Sequence, residues 1–156
     1  MKIFFIITFT ILVMLMVTRS ETKAMEDNSL INAVMKRDIQ LVDRLIEQGA
    51  FLEARNHRGS TALRIASGSE QFLIAEKLFN AGADPFTMDS LYITAVGGIL
   101  HSNLIDDTDE GAARIRLLKA FRDRGVPMPP PAPAEMKDAL KNGQWPDHAK
   151  PPPLKH

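Results

Sequence analysis

The sequence predicts an all-α solenoid of about three helix-turn-helix units joined by β-hairpin loops. Three observations predict it: a 33-residue internal echo, apolar residues at three- and four-residue spacing between the echoed positions, and a glycine closing each apolar run. Gly49-Ala50 returns as Gly82-Ala83, Leu45 as Leu78, Asn56 as Asp89, Thr61-Ala62 as Thr94-Ala95 and Leu63 as Val96. A period of that length means stacked units, because one such unit cannot bury its apolar face alone.

The echoed residues carry a motif. The second unit reads Asn56-His57-Arg58-Gly59-Ser60-Thr61-Ala62-Leu63-Arg64-Ile65-Ala66 and ends in Ala81-Gly82-Ala83-Asp84-Pro85. This resembles the ankyrin-repeat signature D-x-x-G-x-T-P-L-H-x-A, in the manner of a small exported bacterial member. It departs from the signature with Asn at 56, Ala at 62 and Arg at 64. The resemblance implies hairpin loops, a concave face made of loop tips and inner helices, and protein binding as the use of that face.

The elements follow in order. Lys2 precedes an apolar run from Ile3 to Val17 that is shorter than the roughly 20 residues of a membrane-spanning helix, so residues 1–24 read as a signal peptide cleaved after Ala24. Residues 25–126 form the repeat domain, mildly acidic once the leader is removed. Its first unit is short, with an inner helix starting near Asp27 to Ser29 that presents Leu30, Ala33 and Val34 to the stack as a terminal cap. Leu41-Val42 with Leu45-Ile46, and Leu73-Ile74 with Leu78-Phe79, are buried stripes of outer helices. Gly49 and Gly82 close helices where a positive φ carries no Cβ penalty, and Thr61 and Thr94 sit where a hydroxyl caps the next helix.

The third unit begins at Asp89 but holds Tyr92 where the second has Gly59. Its closing glycine comes at Gly125, ten residues late, so an insertion falls at about Asn103 to Gly111. Leu117, Leu118 and Phe121 then stand in for Ile74, Ala75 and Leu78, and Gly97-Gly98 loosens the inner helix. Residues 127–143 are a proline-led capping segment, with a stiff Pro127–Pro133 stretch and a short helix from Glu135 to Asn142. Residues 144–156 are read as a flexible tail, although Trp145 within them could equally fold back on the lid or anchor a partner.

Composition narrows the function. Lysine and arginine balance aspartate and glutamate at 19 each, which gives no basic excess for nucleic acid. The chain has no cysteine, and its four histidines at 57, 101, 148 and 156 lack metal-ligand spacing, so neither a metal nor a cofactor is expected. The acidic run Asp106-Asp107-Thr108-Asp109-Glu110 lacks the alternating ligands and distal glutamate of a calcium loop; it reads as a cap for the following helix or as a partner-facing loop. No nucleophile turn or phosphate loop is present, and no enzymatic activity is expected.

The reading is therefore a protein-binding module, periplasmic or secreted and monomeric on its own, serving as an inhibitor or immunity-type partner of another exported protein. The alternative is a structural or envelope-stress protein held at the membrane by an uncleaved N-terminal segment. The resemblance and the loop argument place the partner-facing residues at His57, Arg58, Ser60, Gly68, Ser69, Ser90, Leu91, Tyr92 and Ile93, with Asp106 and Asp107 added from the insertion.

Overall fold

A computed structural model describes residues 29–151. The expected leader and its cleavage point lie outside them. Three helix pairs follow one another, and a short C-terminal segment closes the array. Helix α1 occupies residues 29–35 and α2 Ile39–Glu47; α3 is Ala62–Gly68 and α4 Phe72–Asn80; α5 is Ala95–Leu100 and α6 Asp109–Asp123; α7 is Pro133–Lys141, followed by a 3₁₀ turn at Asp147–Ala149. The expected all-α class holds. The expected β-hairpin loops are corrected, since no residue of the described chain is in a strand.

Inner helix packs on inner helix, α3 on α5, and outer on outer, α2 on α4 and α4 on α6. The apolar spacing read in the sequence is what fills the space between them. Leu30, Ala33 and Val34 of α1, Leu63 and Ala66 of α3, Val96 and Ile99 of α5 are buried in one core with Val42, Ile74, Leu78, Leu117 and Phe121 of the outer helices. Leu41, Leu45 and Ile46 are only partly buried, at the edge of the described array. The outer layer is tied further by edge-on packing of Phe79 on Phe121, with ring centroids 4.8 Å apart, and by a two-pronged Arg116–Glu76 pair. That carboxylate holds the Arg116 guanidinium above its ordinary pKa, chiefly by hydrogen bonding.

Caps explain where three of the helices begin. The Asp38 carboxylate accepts the Leu41 N–H, Thr61 Oγ1 accepts the Arg64 N–H and Thr108 Oγ1 accepts the Gly111 N–H. Helix α4 has no cap of its own. Glu110 supplies one from the next unit, its Oε2 accepting the Leu73 N–H at 2.8 Å. The inserted residues do not make one long loop: α6 has 15 residues against 9 in α4, and the remainder lengthen the α5–α6 connection. Gly111 is needed where that connection folds back, since a Cβ there would collide with the Ile105 carbonyl oxygen.

Two further readings change. Gly98 tightens the stack where it was expected to loosen α5: a Cβ on it would lie 2.7–2.8 Å from the backbone of Gly68 and Ser67, so glycine is what lets α3 and α5 approach. Of the tail expected at 144–156, residues 152–156 lie outside the described residues, and the part before them is anchored through Trp145 and Ala149. Trp145 is 7% exposed, forms a second small core with Met88, Met136 and Ala149, sits edge-on to Phe86 and donates its indole N–H to the Phe86 carbonyl. Its burial satisfies both halves of an amphipathic side chain, which a mobile tail could not do. Arg55 completes the closure by donating to the carbonyls of Gly59, Met88 and Lys150. Burial pushes its guanidinium below the ordinary value, against the pull of Glu53 and Asp84, and the group stays charged.

Candidate functional site

The loops before α3 and α5 are built alike, and the chemistry of residues 56 and 89 explains why. Asn56 Oδ1 accepts the N–H groups of Arg58 and Ser60; Asp89 Oδ1 accepts those of Leu91 and Ile93, 33 positions on. Each side chain thus closes a tight turn that a β-ladder would otherwise have to hold. Two backbone bonds cross each loop: Asn56 N–H to the Ser60 carbonyl and Gly59 N–H to the Asn56 carbonyl, then Asp89 N–H to the Ile93 carbonyl and Tyr92 N–H to the Asp89 carbonyl. The two loops are then tied together, because Ser90 donates both its N–H and its hydroxyl to the Arg58 carbonyl. The turn needs a left-handed residue, supplied by Gly59 at φ 73° and by Tyr92 at φ 62°.

Between these loops and the ends of the inner helices lies a groove of about 840 Å³. Seven of the eleven residues selected from sequence line it: His57, Arg58, Ser60, Gly68, Ser69, Ser90 and Leu91. One of the seven, Leu91, is an apolar side chain 68% exposed; a second, Met35 at 66%, lines the same groove and was not anticipated. Its signal was available in sequence as an apolar residue one step past the buried stripe of α1.

The selected residues are not equally available. Ser60 is buried, the Ser69 hydroxyl donates to the Ile65 carbonyl, and Ser90 is committed to Arg58. The groups left to face a partner are His57, the Arg58 guanidinium, Leu91 and Met35.

Tyr92 and Ile93 face elsewhere. They line a second groove of about 420 Å³, with Thr94, Gly97, Gly98 and His101 on one side and Pro130 to Pro133 with Met136 on the other. Tyr92 also packs against the small core around Met88 and Met136, which resolves it as a contact for the capping segment and separates it from Leu91. Asp106 and Asp107 line neither groove; Asp106 pairs with Arg114 at 2.7 Å on the exposed α5–α6 connection.

Arg64 and Gly68 border both grooves. The Arg64 guanidinium lies 3.3 Å from Asp89 Oδ2, with side-chain exposures of 19% and 6%, so a largely buried charge is cancelled by a buried partner. Sequence reasoning treated Arg64 as a departure from the motif and did not select it. Among the described residues no cluster of three or more acidic or histidine side chains could hold a metal, and no helix is long and apolar enough to cross a membrane.

No protein-family profile matches the chain. It is similar to the mitochondrial disaggregase of Homo sapiens, 35% identical over 98 residues, which is 61% of this chain and 14% of that protein. It is likewise similar to the mitochondrial disaggregase of Bos taurus, 35% identical over 86 residues, 53% of this chain and 13% of that one. The chain therefore spans about a seventh of the length of these relatives.

Proposed function

We propose that this chain is an ankyrin-type repeat stack whose concave groove binds another protein, and that it is exported as a periplasmic or secreted module. The observation that carries the reading is convergence: seven residues picked for their position in the repeat, exposed Leu91 among them, meet in one groove of about 840 Å³ that exposed Met35 also lines. Exposed apolar side chains beside a free guanidinium are what concentrated binding energy looks like at an interface. The 33-residue recurrence of the Asx-closed loops and the layered packing of inner and outer helices support the ankyrin assignment. A match confined to a seventh of each disaggregase fits a shared repeat module, and the activity those proteins are named for is not extended to this chain.

An inhibitor or immunity-type role toward an exported partner is the form of binding we favour. The full chain, tagged at its C-terminus, should capture one protein stoichiometrically from the native envelope. The double variant Arg58→Ala, Leu91→Ala should lose that capture with an unchanged melting temperature, because both side chains are exposed. Undiminished capture would reject the groove as the binding face. Intact mass of the native protein tests export, and retention of residues 1–24 would reject it.

A further inference from the structure

The smaller groove is unlike the first. Its walls are the Pro130–Pro133 strap, Met136 and Ile93, and its floor is the glycine face of α5. Gly97 stands in that floor at a cost. A glycine inside a helix is less favourable than alanine, yet a Cβ at 97 would meet only Ile93 Cγ2, at 3.4 Å. Packing therefore does not demand glycine there; what glycine does is leave the floor open.

The polar end is unfinished. Thr94 occupies the N-cap of α5 but makes no cap bond, and its buried Oγ1 has no partner at 2% residue exposure; Thr61, at the same place in the preceding unit, does cap. The buried Nε of Arg64 is also without a partner. Buried polar atoms are ordinarily satisfied, so two orphans bordering one apolar groove call for an explanation. The charge of Arg64 is already cancelled by Asp89, which makes the polar end a set of donors with no net charge to offer.

We propose that this groove is a binding site for a small neutral molecule: an apolar body of one or two rings carrying a carbonyl or amide oxygen. The apolar walls and 420 Å³ volume take the ring, and Thr94 takes the oxygen. A carboxylate is disfavoured, because the Arg64 charge is already cancelled by Asp89 and nothing else in the groove lining offsets the cost of desolvating an anion. The inference is independent of protein capture by the larger groove.

The probe is 3-phenylpropanamide, titrated into the full chain by calorimetry and by amide chemical-shift mapping. Saturable one-to-one binding is expected, with shifts centred on residues 92–101. Both 3-phenylpropanoate and acetamide should bind about tenfold or more weakly, the first for the cost of burying an anion and the second for the loss of the buried ring. Gly97→Leu should abolish binding by filling the floor, and should leave protein capture intact. Thr94→Val should weaken the amide about tenfold without lowering the melting temperature, since its hydroxyl makes no bond in the free protein. No saturation by about 10 mM, a carboxylate binding as tightly as the amide, or binding that survives Gly97→Leu would each overturn the proposal. Should Gly97→Leu fold poorly, the shift map together with Thr94→Val decides the matter.

Discussion

Replacing Gly98 with alanine should destabilise the protein, and the same replacement one residue earlier should stabilise it. Both glycines lie in α5 with negative φ, so alanine is conformationally acceptable at either and gains about 1 kcal/mol of helix propensity. The environments differ. At 98 the added Cβ would lie 2.7 Å from Gly68 Cα and 2.8 Å from Gly68 N and Ser67 C, atoms of a helix backbone that cannot rotate away. Forcing α3 and α5 apart is overpacking against a rigid wall, about 3 kcal/mol at the upper end of its usual range, for a net loss of about 2 kcal/mol. At 97 the only neighbour is a methyl group at ordinary van der Waals distance, so most of the gain of about 1 kcal/mol should survive. The unfolded-state contribution is nearly the same for adjacent positions and cancels in the comparison. Urea titration of the two variants should therefore give midpoints separated by about 1.5 M for an m-value near 2 kcal/mol/M, with m itself unchanged. Shifts of the same sign would refute the close approach of the inner helices as the reason for Gly98.

Other substitutions test the joins between units. Glu110→Ala should cost about 1 kcal/mol by uncapping α4, and Glu110→Gln less, because an amide oxygen can still accept from Leu73; thermal unfolding of the pair separates capping from charge. Trp145→Ala should cost about 3 kcal/mol and open residues 127–151 to proteolysis, whereas Trp145→Phe should keep the segment resistant and lose only about 1 kcal/mol with the bond to Phe86. Arg55→Met leaves three carbonyls short of a donor and should cost about 2–3 kcal/mol, read as a lower urea midpoint; an unchanged midpoint would mean that water replaces the guanidinium freely.

The repeat was legible in sequence only where its side chains echo, and the backbone echoes further than the side chains do. Left-handed residues recur 33 apart at Arg37 and Glu70 (φ 58° and 57°), at Gly49 and Gly82 (78° and 106°), and at Gly59 and Tyr92 (73° and 62°). Glycine marks only the middle pair in both units. In the other two a non-glycine residue bears a conformation that costs about 1–2 kcal/mol, offset by neighbouring contacts. Tyr92, for instance, packs against the C-terminal segment. The hairpins were over-read for a related reason: Asn56 and Asp89 close their loops from the side chain, and nothing in an Asn or Asp distinguishes that from the start of a ladder. Proline and polarity made residues 144–151 look like a tail because Trp145 carries the packing information alone, and its partners Met88 and Phe86 are nearly sixty residues distant.

Geometry of the candidate site was legible in the sequence only in part. Position in the repeat gathers His57, Arg58, Gly68 and Leu91 on one groove, since loop geometry is what the period encodes. It could not tell that Ser60, Ser69 and Ser90 spend their polar atoms inside the protein, or that Tyr92 and Ile93 turn to the other groove, because those outcomes depend on contacts between units and with the capping segment. Arg64 shows the limit most clearly. As a motif position it reads as a tolerated substitution; in three dimensions it neutralises Asp89, borders both grooves and leaves a buried donor unpaired. Losing the Arg64 charge would strand a buried carboxylate, a perturbation of about 3 kcal/mol or more, whereas the exposed Arg58 can be removed at little structural cost. The same residue type six positions apart thus serves opposite purposes: Arg64 sets the shape and neutrality of the face, and Arg58 is left exposed on it.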